Sequence, residues 1–156
     1  MTVKNAIGAP VLSVQGLSID ARTPEGLNRV INEVSFDLLA GETLCIAGES
    51  GSGKSVTSLS IMGLLPKTSL RISSGAIKLE GEELTRLSDS RMRHIRGGEI
   101  AMIFQEPMTS LNPVMSIGAQ LVEAIRQHQG SINAEQIALY MLEAVQISDP
   151  IRRMKQ

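Results

Sequence analysis

Residues 48–55 read Gly48-Glu49-Ser50-Gly51-Ser52-Gly53-Lys54-Ser55 and satisfy G-x-x-x-x-G-K-S/T, a spacing suited to holding phosphate. Backbone amides of such a loop face inward as donors, and a helix beginning at its end adds the positive pole of its dipole. Glycines let the chain close around phosphate oxygens. Lys54 is placed to reach the β- and γ-phosphates of a nucleoside triphosphate, and the Ser55 hydroxyl to bind Mg²⁺. The expected nucleotide-lining residues are Gly48, Ser50, Gly51, Ser52, Gly53, Lys54, Ser55 and Val56, with Lys54 also serving catalysis. An accidental match in a Gly/Ser-rich turn is the alternative, and composition alone would produce one in roughly 0.5% of chains this long.

The loop needs a strand before it and a helix after it. Thr43-Leu44-Cys45-Ile46-Ala47 is an apolar run following the turn Ala40-Gly41-Glu42, which predicts a buried strand. Ser55 to Leu65 carries Leu59, Met62 and Leu65 at helical spacing, with Pro66 as the stop. Upstream, Val11 to Ile19 alternates apolar and polar residues. Thr23-Pro24-Glu25-Gly26 makes a turn, and Val30 to Leu38 offers Ile31, Val34, Phe36 and Leu38 for burial, so a hairpin is expected.

Downstream, Ile77 and Leu79 mark a short strand between Gly75 and Gly81, and Asp89 to Ile95 a short helix with Ser88 as N-cap. Ile100 to Phe104 is apolar throughout and predicts another buried strand, followed by a proline-bounded loop from Gln105 to Pro113. Two helices come next. Ile117 to His128 has Ile117, Leu121 and Ile125 on one face, and Ala134 to Ile147 has Ile137, Tyr140, Met141, Ala144 and Val145. Strands come first and helices last, so the class is α/β without the repeating βα order of a small doubly wound domain.

A chain of 156 residues has room for one core, and 42% hydrophobic with 20% charged residues is ordinary globular composition. The net charge of −1 gives no support to a nucleic-acid partner. Arg91-Met92-Arg93-His94-Ile95-Arg96 is the densest basic stretch and reads as one solvated helix face. Cys45 is the single cysteine, which rules out an internal disulfide, and its place in the expected strand predicts burial. No run approaches the roughly 18 apolar residues of a membrane span, and the first residues lack a secretory signature. A cytoplasmic chain is expected, reaching a membrane only through a partner. Phe36, Phe104 and Tyr140 are the whole aromatic set, so the core must be aliphatic and methionine-rich.

Gly48 to Pro66, and more specifically Met102-Ile103-Phe104-Gln105-Glu106-Pro107-Met108-Thr109-Ser110-Leu111-Asn112-Pro113, resemble the ATP-binding subunits of bacterial ABC importers of the dipeptide, oligopeptide and glutathione type. The resemblance implies an ABC-type P-loop NTPase fold: an N-terminal β hairpin, the P-loop strand and helix, and the start of a helical subdomain over about residues 106–147. Residues 1–10 would be a tail and 11–156 a partial nucleotide-binding domain. It implies ATP and Mg²⁺ as cofactors and ATP hydrolysis coupled to transport. Implied partners are transmembrane permease subunits, a second ATPase subunit and, indirectly, a solute-binding protein at the inner membrane. Gln105 takes the place of the family's Q-loop glutamine, whose amide can join the Mg²⁺ shell and orient the attacking water. Glu106 to Asn112 resembles the surface that receives the membrane subunits.

Three departures qualify that likeness. Ala21 stands where the family usually places an aromatic to stack on adenine. No aspartate follows four apolar residues, since Asp20, Asp37, Asp89 and Asp149 are the only ones, so a Walker B element and its catalytic glutamate are missing. The L-S-G-G-Q signature is missing as well, and neither His94 nor His128 fits the switch histidine. These absences lead us to expect the N-terminal part of an ABC ATPase, with a truncated, non-catalytic nucleotide-binding fragment as the alternative.

Overall fold

The computed structural model describes residues 8–104, 110–129 (Gln129 by its backbone) and 132–156. The chain divides into two units, Met1–Arg96 and Gly97–Gln156.

The first unit is built on strands β1 (Leu12–Thr23), β2 (Gly26–Leu38), β3 (Leu70–Leu79) and β4 (Glu82–Glu83), ordered β2-β1-β3-β4 with antiparallel neighbours. The hairpin forms as the alternation predicts, with Pro24 and Glu25 alone in the turn. Val14, Leu17, Ile19, Ile31, Ile77 and Leu79 supply the buried layer. β1 carries an extra residue around Gln15–Gly16 against both neighbours. β2 then takes one back near Glu33, whose φ is 51°. That irregularity explains why Ile31 and Val34 stand three apart while Val34, Phe36 and Leu38 stand two apart.

β3 starts seven residues earlier than its apolar alternation suggested, and it runs through Gly75. Gly75 has φ +92°, and a Cβ there would lie 2.6 Å from the Gln15 carbonyl oxygen and as close to Gly16. The backbones of β1 and β3 approach at the bulge, and only glycine fits.

Helix α1 (Lys54–Ile61) ends before the expected Leu65. Gly63, at φ +61°, turns the chain left-handed, with Leu64 N–H bonded to the Leu59 carbonyl at 2.8 Å, so a glycine C-terminal motif stops the helix ahead of Pro66. The Arg96 guanidinium adds bonds to the carbonyls of Met62 (2.7 Å) and Gly63 (2.9 Å). Helix α2 (Asp89–Ile95) has the expected bounds and the Ser88 cap, its hydroxyl accepting from Arg91 N–H at 3.3 Å. Met92 and Ile95 are buried and Arg93 and His94 face solvent, but the expected single solvated basic face holds only in part. Arg91 is half-buried and paired with Glu82 at 2.6 Å, and Arg96 is half-buried and bonded to carbonyls beyond α1.

The two expected core strands do not form among the described residues. Thr43 to Ala47 forms no strand pairing and is exposed throughout, Cys45 included. Ala101 to Phe104 is likewise without strand pairing, and Ile103 is 99% exposed. An apolar run becomes a strand only where a neighbour takes up its amides and carbonyls, and neither run has such a neighbour here.

The second unit holds α3 (Ile117–Gln129), α4 (Ala134–Ala144) and α5 (Pro150–Arg153). Val122, Ala134 and Ala138 form its core, with Leu121, Ile125 and Met154 packed against them. α4 stops at Ala144, not Ile147. Gln146 adopts φ +60° and Ile147 N–H bonds the Leu142 carbonyl at 3.0 Å. Ala134 and Ala138 are its buried residues; of the expected face Ile137 is half-buried, while Tyr140, Met141, Ala144 and Val145 are exposed. Small residues permit the close approach that the larger ones would prevent.

Candidate functional site

The glycine loop hands over directly to α1. Lys54 is the first helical residue, and its ammonium donates to the carbonyls of Gly48 and Glu49 at 2.7 Å each and to Ser52 Oγ at 3.2 Å. The side chain therefore curls back across the loop it follows. Gly51 and Gly53 have φ of +84° and +90°, which suits residues without a Cβ. A Cβ on Gly48 would sit 2.6 Å from Ser52 Oγ, so the loop's two arms nearly touch. A Cβ on Gly53 would collide with Ile31 Cδ1, which sets β2 against the end of the loop.

The other anchor is Thr57, a buried residue that sequence reasoning passed over. Its N–H (2.8 Å) and its Oγ1 (3.0 Å) both donate to the Gly53 carbonyl. The N-cap, Gly53, offers no capping side chain, and the first turn of α1 has no acidic residue. Its leading amides are thus left for an external acceptor, and the helix dipole favours an anionic one. Ser50 and Ser55 are exposed and Val56 is half-buried, so both hydroxyls are open to a ligand. Lysine, glycines and an uncapped helix start on one loop fit a polyphosphate.

Gly48, Ser50, Gly51, Ser52, Gly53, Lys54, Ser55 and Val56 are brought together on this single loop and helix start. Gln105 lies outside the described residues, as do Glu106 to Thr109. Among the described residues, no group of three or more His, Cys, Asp or Glu side chains could hold a metal ion. Ala21 is half-buried in β1, paired with Asn28 and Leu70, and places no ring there.

Beside Ala21 stands a charge cluster the sequence did not disclose. Asp20 is buried, with Arg29 Nε at 2.6 Å from one oxygen and Arg71 at 3.7 Å from the other. The Arg29 hydrogen bond holds the Asp20 carboxyl below its usual range against the opposing pull of burial, with the Arg29 charge, a Ser73 bond and the Arg71 charge adding to it. Both arginines are cross-strand neighbours of Asp20, one on each side.

The model of the ABC transporter family matches residues 31–156, and the chain belongs to that family. It is 51% identical over 148 residues to the dipeptide transport ATP-binding protein DppD of Bacillus subtilis, covering 94% of this chain and 44% of that protein. To the oligopeptide transport ATP-binding protein OppD of the same organism it is 45% identical, covering 94% and 41%. The chain thus spans less than half the length of these relatives. The fold is that of the ABC ATPase cassette, in part. A dimeric structure of a bacterial ABC transporter cassette superposes with a TM-score of 0.78 at 20% identity, over 93% of this chain and 60% of the other. A post-hydrolysis state of that cassette, bound to ADP and Pi, gives 0.77 over 92% and 61%.

Proposed function

We propose that this chain binds Mg·ATP through residues 48–56 and is the ATP-hydrolysing component that energises ABC-type import of peptides or similar small solutes across the bacterial inner membrane. The observation that carries the reading is the loop itself: Lys54 folded over it, and the amides at the start of α1 left without a cap. The names of the relatives, dipeptide and oligopeptide transport ATP-binding proteins, support peptides as cargo.

Lys54 would exchange its two loop carbonyls for phosphate oxygens, and the amides of Gly51 to Ser55 would take the rest of the charge. Ser55 would hold Mg²⁺, together with Gln105. Bound there, the ion neutralises charge that develops on the phosphate oxygens. Gln105 would also orient the attacking water. No helix of the described residues is long and apolar enough to cross a membrane, so the site would reach one through permease subunits. A second ATPase subunit and, indirectly, a solute-binding protein complete the assembly, with the chain peripheral on the cytoplasmic face. The helical subdomain would start over about residues 106–147.

A second reading, a nucleotide-binding chain without turnover, is favoured by one observation: none of the four aspartates follows an apolar run. Binding measured beside phosphate release separates the two. Lys54→Ala should weaken ATP binding roughly ten- to hundredfold, because one charge-assisted phosphate contact contributes about 1.5–3 kcal/mol. Equal binding by a folded Lys54→Ala chain would overturn the site. In the same titration GTP and bare triphosphate should compete well, since Ala21 supplies no ring for adenine.

A further inference from the structure

The first bond inside α1 runs from the Thr57 N–H to the Gly53 carbonyl at 2.8 Å, so the amides of Lys54 and Ser55 precede the helix's own ladder. Each of these two amides shares a peptide group with the carbonyl of the residue before it, Lys54 N–H with Gly53 and Ser55 N–H with Lys54. Both carbonyls carry a side-chain bond on top of the helical one. Thr57 Oγ1 donates to the Gly53 carbonyl at 3.0 Å, and Ser58 Oγ to the Lys54 carbonyl at 3.2 Å. In a planar trans peptide the N–H points opposite to the C=O. A carbonyl held twice from within the helix therefore fixes the direction in which its amide looks out. The second donor also polarises the peptide and makes that N–H a stronger donor.

The stability of α1 does not explain the two hydroxyls. Serine and threonine form helices less well than alanine, and back-bonding to the carbonyl four residues earlier slightly destabilises a helix. Two such bonds in succession, in a helix of 8 residues, point to another use. Thr57 is buried, and Gly53 itself abuts β2, where an added Cβ would collide with Ile31 Cδ1. Ser60 supplies the contrast. It is as buried as Thr57, and its Oγ donates to the Thr57 carbonyl at 2.6 Å. That carbonyl, however, shares its peptide with the Ser58 N–H, which lies beyond the first bond of the helix and is spent inside it.

We infer that Thr57 and Ser58 are positioning residues whose hydroxyls aim the Lys54 and Ser55 amides at the phosphates of the bound nucleotide. The inference rests on the nucleotide reading above and adds to it the residues that set how tightly the polyphosphate is held. The amides act on phosphate and not on the base, so ATP and bare triphosphate lose affinity together when a hydroxyl is removed.

The test is equilibrium binding of Mg·ATP and of magnesium tripolyphosphate to the full chain in dilute solution, with hydrogen exchange read at the Lys54 and Ser55 amides under saturating ligand. Thr57→Val and Ser58→Ala should each weaken both ligands roughly two- to tenfold, by equal factors, and the double variant more than either. The Lys54 amide should lose protection by ligand in Thr57→Val, and the Ser55 amide in Ser58→Ala. Thr57→Ser returns the hydroxyl and should restore affinity. Ser60→Ala should bind both ligands as wild type does, although it removes a buried hydrogen bond of the same helix. Ser58→Ala, at a half-buried position, decides alone if Thr57→Val does not fold. Unchanged affinity in Thr57→Val and Ser58→Ala overturns the inference, as does an equal loss in Ser60→Ala or a loss confined to ATP. A wild-type chain that binds neither ligand overturns the nucleotide reading, and the inference with it.

Discussion

Lys54 has its donors occupied before any phosphate arrives, by two carbonyls and a hydroxyl of its own loop. Nucleotide binding is therefore an exchange of partners, and the net effect of Lys54 is smaller than its gross attraction to phosphate. The loop residues were legible in the sequence because their chemistry depends on local spacing. Asp20 was not, since Arg29 and Arg71 meet it only through strand register. That cluster makes a pH prediction. A carboxyl held low in the folded state stabilises the fold above its unfolded pKa of about 3.9, and the contribution is lost as pH falls through the folded value. Glu82, held low by its bond to Arg91, acts with the same sign. Asp20→Asn should lower the thermal midpoint at pH 7, and the gap to wild type should close as pH drops below about 4. A gap that persists at pH 2.5 would assign the loss to packing.

Elements whose partners lie close in sequence were read well. The hairpin came from alternation on either side of the turn Thr23 to Gly26, although its strands run further toward the turn than Ile19 and Val30, and α2 came from a serine cap. The runs 43–47 and 100–104 carry as strong an apolar signal, yet neither forms a strand and only Ile100 makes an isolated bridge, because a strand is a relation between two segments and composition shows only one. β3 was underestimated for a related reason: Gly75 reads as a boundary in one dimension and is a point of backbone contact in three. Gly75 and Gly81 separate the two effects. Both have positive φ, but nothing lies within 4 Å of a Cβ at Gly81. Gly81→Ala should cost about 1–2 kcal/mol from backbone conformation alone. Gly75→Ala should cost that plus the separation of β1 from β3, and similar midpoints in urea melts would show that the bulge yields.

At the scale of the whole molecule, Leu44, Ile46, Ile103 and Phe104 expose apolar surface on segments without strand pairing. Such segments recruit strands from other chains. Residues 1–156 expressed alone should scatter light increasingly with concentration and release phosphate from ATP negligibly, since no catalytic acid follows an apolar run. A monodisperse sample with steady Lys54-dependent turnover would refute this and point to Glu106 as base. The placement of the loop has a mechanical side. The loop and α1 form the excursion between β2, an edge strand, and β3, an interior one, and both are laced to β1. It behaves as a string fixed at two posts and not as a flap on a hinge. Any pull that a phosphate exerts on Lys54 is divided between the edge of the sheet and its middle, so the tug reaches both at once.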